Sequence, residues 1–292
     1  MSIVPSDHNA PAKPSPLHNV VHDRLAALSA LPKTNETLLN MLRLLAKWRS
    51  AMIVNTILKL NGPYVQSGPF QGMYYGGAAS EGSGSARLLG VYEAALHPVI
   101  EAIIAHGYAQ VLDVGCAEGY YAVGLARRMP QARIIARDTS AAAQQNCREL
   151  ARANETDARI EIGGAVAHSH FDICAQAETV VICDIEGAEA ELLNPTLAKG
   201  LLSADILVEV HDCFSPNLSQ QIAQRFAASH DVQIIHRSLS PDPLPESFNS
   251  FSDLDRLIAL WEWRIGPTPW LWMTRKVASH GETNFEKGNS AS

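Results

Sequence analysis

Four acidic side chains and one imidazole stand at the ends of two apolar runs in this chain. Val180-Val-Ile-Cys-Asp184-Ile-Glu186-Gly187 reads as a buried strand that delivers two carboxylates to a sheet edge. Ile206-Leu-Val-Glu209-Val-His211-Asp212 reads as the next strand and delivers two acids and an imidazole. Residues two apart on a strand share a face, so Glu209 and His211 belong together. A neutral imidazole at His211 could take a proton as a general base, losing activity as it protonates near or below its reference pKa of about 6.5. Asp184, Glu209 and His211 could instead hold a divalent metal, Mg²⁺ or Mn²⁺, that lowers the pKa of a hydroxyl. Or Glu209 and His211 could cap the sheet through hydrogen bonds alone. The residues by themselves leave these three readings open, with Asp184, Glu209 and His211 as the catalytic candidates.

A second constellation precedes them. Val111 to Val114 is a short apolar run, Gly115-Cys116-Ala117-Glu118-Gly119 is a turn, and Tyr120 to Arg128 reads as a helix. Strand, glycine turn and helix make a nucleotide-sized notch at the carboxyl end of a strand. Glycine there lets backbone approach a ligand closely. Asp113, Gly115, Cys116, Ala117 and Gly119 are the expected cofactor contacts, with Asp184 beside them. Position 117 is Ala, so the dinucleotide pattern G-x-G-x-x-G is not met. Asp138 ends the next apolar run, 23 residues after Gly115. An acid at that distance can accept both ribose hydroxyls, or can simply begin the helix at 140–154.

The pattern Asp113-x-Gly115-x-x-x-Gly119 resembles motif I of the class I S-adenosylmethionine-dependent methyltransferases. With Asp184-Ile-Glu-Gly-Ala-Glu189 and Glu209-Val-His211 added, residues 109–212 resemble the FkbM-type family, and Trp270-Leu-Trp272 resembles its closing strand more weakly. The resemblance implies S-adenosylmethionine as cofactor, its methionine part at the glycine turn and its ribose at Asp138. It also implies O-methylation of a hydroxyl on a small molecule or saccharide. The chain departs from the family at the turn, where Gly-Ala-Asn-x-Gly is common and Gly115-Cys-Ala-Glu-Gly119 stands here. Two rival readings are a protein or RNA methyltransferase and a non-catalytic nucleotide-binding protein of the same fold. The acidic balance and the lack of an Asn-Pro-Pro-Tyr-like segment weigh against amino-group acceptors.

Alternating elements must position these groups. Strands are expected at 109–115, 133–138, 158–163, 178–184 and 205–211, with helices at 119–129, 140–154, 187–199 and 215–229. Two late strands, 232–237 and 270–275, close one edge in antiparallel fashion. The fold class is therefore α/β: a doubly wound, mostly parallel seven-stranded sheet with an N-terminal helical extension. The expected organisation is a polar tail and short helix over 1–35, a helical cap and glycine-rich loop over 36–90, the methyltransferase domain over 91–276, and a polar tail over 277–292. Thr34 caps a helix over 36–60 that carries Leu38, Met41, Leu42, Leu45, Trp48 and Met52 on one stripe, opposite Asn40, Arg43, Lys47 and Ser50. That stripe suits packing within the domain or a homodimer through the N-terminal helices. Leu88 to His106 reads as one helix. The loop 61–87 brings Phe70, Tyr74 and Tyr75, which with Glu186 could line an acceptor pocket or serve packing. Arg264 could bind an anionic substrate group but reads rather as a surface arginine, and His168 and His170 read as solvated loop residues.

Composition narrows the partners. The 292 residues are 47% hydrophobic and 18% charged, with a net charge of −7. General nucleic-acid binding is not expected of such a balance. Five scattered cysteines read as reduced thiols of a cytoplasmic protein. The apolar stretch at 38–60 is broken by Arg43, Lys47, Arg49 and Asn55, so no membrane partner is expected.

Overall fold

The computed structural model describes residues 16–76, 83–238 and 244–276. Residues 1–15 and 277–292 of the two polar tails, and 77–82 of the glycine-rich loop, lie outside these. The chain divides into a sheet unit (Gly68–Tyr74, Glu93–Leu239, Arg264–Ser292) and a helical unit (Met1–Ser67, Tyr75–Tyr92, Ser240–Trp263).

In the sheet unit seven strands run in the order β3-β2-β1-β4-β5-β7-β6. They are β1 (Gln110–Val114), β2 (Arg133–Arg137), β3 (Ile160–Gly163), β4 (Thr179–Cys183), β5 (Ala204–Glu209), β6 (His230–Ile235) and β7 (Trp270–Arg275). The first five are parallel, and β7 lies antiparallel between β5 and β6. This is the mostly parallel, doubly wound sheet of a class I methyltransferase fold. Chain order reverses between β1 and β4, so their carboxyl ends flank the crevice where such sheets take ligands. Alternate residues of one face, Leu112, Val114, Val181, Cys183, Ile206, Val208, Leu271 and Met273, join Phe171, Ile222 and Phe226 in a buried core. The register sets the active edge: Val114 lies beside Cys183, and Cys183 beside Val208. The next residues, Gly115, Asp184 and Glu209, therefore emerge level with one another.

Several sequence expectations need correction. The helix expected over 187–199 is a single turn, Glu189–Leu192. Pro195 follows; it disfavours helical geometry at Asn194 and cannot donate a backbone hydrogen bond. The helix expected over 88–106 is two helices, Gly84–Leu89 and His97–His106, with a left-handed Gly90 (φ 74°) ending the first. The connection between β3 and β4 contains a 3₁₀ segment at His168–Ala175.

In the helical unit, helices span Pro16–Ser29, Asn35–Asn61 and Asp253–Ala259. Thr34 caps the long one as expected, its side chain accepting from the Thr37 N–H at 3.2 Å. The expected apolar stripe is not its buried face. Leu38 and Leu42 are 64% and 62% exposed, whereas Ser50, assigned to the polar face, is buried with Ile53 and Ile57. Near that face Arg49 makes a two-pronged ion pair with Asp255 at 2.6 Å. Among the described residues no helix is long and apolar enough to cross a membrane.

Candidate active site at the carboxyl edge of the sheet

The glycine turn leaves β1 at Gly115 (φ 85°) and enters the helix Tyr120–Arg128 through Gly119 (φ 91°). A Cβ at Gly115 would overlap the Asp184 carbonyl oxygen, and one at Gly119 would stand 2.6 Å from Cys147 Sγ. Both glycines are thus demanded by protein neighbours as well as by their left-handed backbone. The sequence reading, which ascribed them to ligand approach, missed that cause. Ala117 also has positive φ (46°), and its N–H donates to Asp138 Oδ2 at 2.9 Å. The other oxygen, Asp138 Oδ1, accepts from Ser140 N at 2.7 Å. Asp138 therefore ties the turn to the helix Ala141–Ala153, and each oxygen keeps lone-pair capacity for a further donor. A hydrogen bond with Cys147, together with burial, keeps Cys116 a neutral thiol.

Asp113 is buried, and the Ala122 N–H donates to its carboxylate. Its Oδ2 has no hydrogen-bond partner. Burial, then the charge of Asp184, lifts its pKa to about 7 against the effect of that amide.

The second group forms where β4 and β5 end. The chain after β4 turns sharply through Glu186 (φ 54°) and Gly187 (φ 108°). This turn carries Glu186 Oε2 to 3.2 Å from His211 Nε2, while Asp184 Oδ1 lies 3.9 Å from the same nitrogen. On the opposite side of the ring, His211 Nδ1 donates to Glu189 Oε1 at 2.8 Å. The Gly187 N–H donates to that same oxygen at 2.9 Å. Glu189 is 0% exposed, and its Oε2 has no hydrogen-bond partner. Phe214 stacks on the imidazole with centroids 5.5 Å apart. Burial pulls the His211 pKa down. Hydrogen bonds to Glu186 and Glu189, and the charges of Glu189 and Asp184, outweigh it and raise the pKa to about 10. In the ligand-free chain the ring is therefore a cation at neutral pH. The expectation of a free base titrating near its reference value does not hold for this state.

The structure brings Asp184 and His211 together but gives Glu209 another partner. Glu209 is buried and ion-paired with Arg264, which also pairs with Glu93 and donates to Thr268. Tyr121 donates to Glu93. Arg264, read from sequence as a surface residue, is 13% exposed and binds two buried carboxylates. Glu93 holds positive φ (49°) in making this pair. Among the described residues the set with metal-ligand geometry is Asp184, Glu186 and His211, with Glu186 in the place expected for Glu209. Their ligand atoms all lie within 4.8 Å of one another.

Glu189 and Glu93 had no active-edge role in the sequence reading, and Arg264 only that of binding an anionic substrate group. Glu189 left a signal, since it follows Glu186 by three residues across a glycine and can reach back over one helical turn. Arg264 left none, because its partner Glu93 is 171 residues away.

The expected acceptor-pocket aromatics are placed as follows. Phe70 packs edge-on against Tyr120 and Tyr121, over Gly124, where a Cβ would come within 2.5 Å of its ring. Tyr74 exchanges backbone hydrogen bonds with the Asn154 side chain at 2.9 Å, and Tyr75 is buried in the helical unit. His168 Nε2 lies 3.0 Å from the Glu191 carbonyl oxygen.

Residues 111–198 match a family model described as a methyltransferase domain. No curated protein matches the sequence. Solved structures that align with the chain include a Klebsiella pneumoniae protein provisionally assigned as an O-methyltransferase (11% identity, 89% of this chain and 97% of that one, TM-score 0.42). A Bacillus cereus O-methyltransferase in complex with SAH aligns at 12% identity over 87% and 97% of the two chains, with TM-score 0.41. A precorrin-6y C5,15-methyltransferase from Geobacter metallireducens aligns at 8% identity over 61% and 88%, with TM-score 0.40.

Proposed function

We propose that this chain is an S-adenosylmethionine-dependent methyltransferase that methylates a hydroxyl of a small molecule or saccharide. The observation that carries the reading is the charge of the switch-point crevice. Asp113, Asp138, Asp184, Glu186 and Glu189 all belong to one sheet edge, with His211 among the last three. A crevice of this sign favours a cation and repels the pyrophosphate of a dinucleotide. The donor set fits the proposed cofactor: an unpartnered buried oxygen at Asp113 and a carboxylate at Asp138 fixed by two backbone N–H groups. Asp138 would hold the ribose, and the Gly115–Gly119 turn with Asp113 the methionine portion. When bound, the cofactor supplies an electrophilic methyl on a sulfonium.

The chain's own residues align the acceptor, whose proton leaves to solvent past the acidic cluster. The Asp184–Glu186–His211 cluster suits a hydroxyl, because an alcohol must lose a proton as it attacks. The Asp184-Ile-Glu-Gly and Glu209-x-His211 segments support placing the chain near the FkbM-type enzymes. Incubation with S-adenosylmethionine and a panel of hydroxylated metabolites and saccharides tests the reading by mass spectrometry. The expected result is a methylated oxygen with one equivalent of S-adenosylhomocysteine. Methylation confined to peptide or RNA nitrogen would overturn the hydroxyl assignment.

A further inference from the structure

Building on the methyltransferase reading, we propose that Asp184, Glu186 and His211 bind one divalent transition-metal ion of the Mn²⁺ type, which receives the acceptor hydroxyl. Ligand atoms about 2.1 Å from one ion stand roughly 3–4 Å apart. His211 Nε2 is 3.2 Å from Glu186 Oε2 and 3.9 Å from Asp184 Oδ1, within that range. The third pair closes within 4.8 Å, a gap that a small rotation of Glu186, 65% exposed, can take up.

The imidazole is prepared as a ligand. Nδ1 donates to buried Glu189, which leaves Nε2 facing the two acids. A carboxylate behind a histidine is the usual outer support of a metal-binding ring. A separate observation lies behind the ring. Glu189 is fully buried, and its Oε2 has no hydrogen-bond partner. A buried carboxylate requires a counter-charge; the protonated ring supplies it in the free chain, and a divalent ion at Nε2 would take over that part.

The donor set selects the ion. Mg²⁺ prefers oxygen ligands and keeps several waters, whereas an imidazole with two carboxylates suits a first-row transition ion. Its role follows from the net reaction. An O–CH₃ bond forms, the S–CH₃ bond breaks, the sulfonium becomes a neutral thioether, and the hydroxyl proton leaves to solvent. A bound divalent ion makes that proton easier to lose.

The test titrates Mn²⁺ alone into the chelator-stripped full chain, following free Mn²⁺ by electron paramagnetic resonance. The expected result is one site on the wild type, weakened at least tenfold in Glu186→Gln and in His211→Ala. Glu189→Gln, at a residue that bonds the ring and the Gly187 N–H but none of the ligand atoms, should weaken it about 10–100-fold. Glu186 is exposed, so its variant folds even if the His211 variant does not. No Mn²⁺ uptake by the wild type, or undiminished uptake by Glu186→Gln, overturns the metal site. Calorimetry of the stripped chain with S-adenosylmethionine runs in parallel. Binding there supports the underlying reading whatever Mn²⁺ does, and its absence overturns that reading.

Discussion

The two halves of the active edge are built on opposite electrostatic terms. Around the glycine turn, Asp138 has both oxygens held by backbone N–H groups, from Ala117 and Ser140. Where β1, β4 and β5 end, Asp113 and Glu189 are buried, each with one oxygen lacking a hydrogen bond, and Glu186 is held by a strained turn. One half is complete as a protein structure. The other holds buried carboxylate oxygens without hydrogen bonds, which persist only because the rest of the fold holds them. On the proposed reading, the first half is the cradle of the adenosyl group and the second the site of the cation.

Gly115 is where the halves meet, so breaking it has the largest effect. Gly115→Val places a branched side chain into the Asp184 carbonyl at a backbone φ of 85°. The expected loss is about 3 kcal/mol or more, from overpacking and left-handed strain together. Urea denaturation with two probes checks it, and a wild-type midpoint would remove the claimed contact.

Asp113 probes the unsettled half. Its pKa rises from the ordinary 3.8 to about 7 in the folded chain. Stability from this group is full below the unfolded pKa and is lost as pH rises through the folded one. The ligand-free wild type should therefore lose stability between about pH 4 and 7, by up to roughly 4 kcal/mol. Asp113→Asn should lack that slope and match the wild type only at low pH. Thermal melts across the range decide it, since parallel pH profiles would place the strain elsewhere.

Asp138→Ala probes the settled half alone. Removing a charge-assisted acceptor should weaken S-adenosylmethionine binding by about 1.5–3 kcal/mol. Mn²⁺ affinity should stay unchanged, and a parallel loss of both would show that the halves are not separate. The smallest effect belongs to Ala117→Gly. Relief of left-handed strain of about 1–2 kcal/mol exceeds the added unfolded-state entropy of about 0.4–1 kcal/mol. A net gain of roughly 0.5 kcal/mol should appear in denaturant midpoints.

The same division governs what the sequence could disclose. The settled half is local: strand, turn and helix follow one another within twenty residues, and apolar runs with glycine breaks mark them. The closing strand Trp270–Arg275 was legible to the residue for the same reason. Asp184 and His211 were legible as strand-end groups, because parallel strands in one sheet end on one edge. Their true partners were not. Glu189 sits 22 residues before His211, and Glu93 sits 171 before Arg264. No periodicity encodes contacts of that span. Glu209 was misread because strand alternation gives the face of a side chain but not the cation that claims it. The long N-terminal helix failed in a similar way: its leucine stripe shows that the helix is amphipathic, but the packed face centres on Ser50, Ile53 and Ile57.

The central claim is that this edge is built for a cationic, pyrophosphate-free cofactor. Isothermal calorimetry of the wild-type chain against S-adenosylmethionine and NAD⁺, side by side, tests it most directly. The account predicts one site for S-adenosylmethionine and no heat from NAD⁺. Tight NAD⁺ binding with no response to S-adenosylmethionine would contradict it.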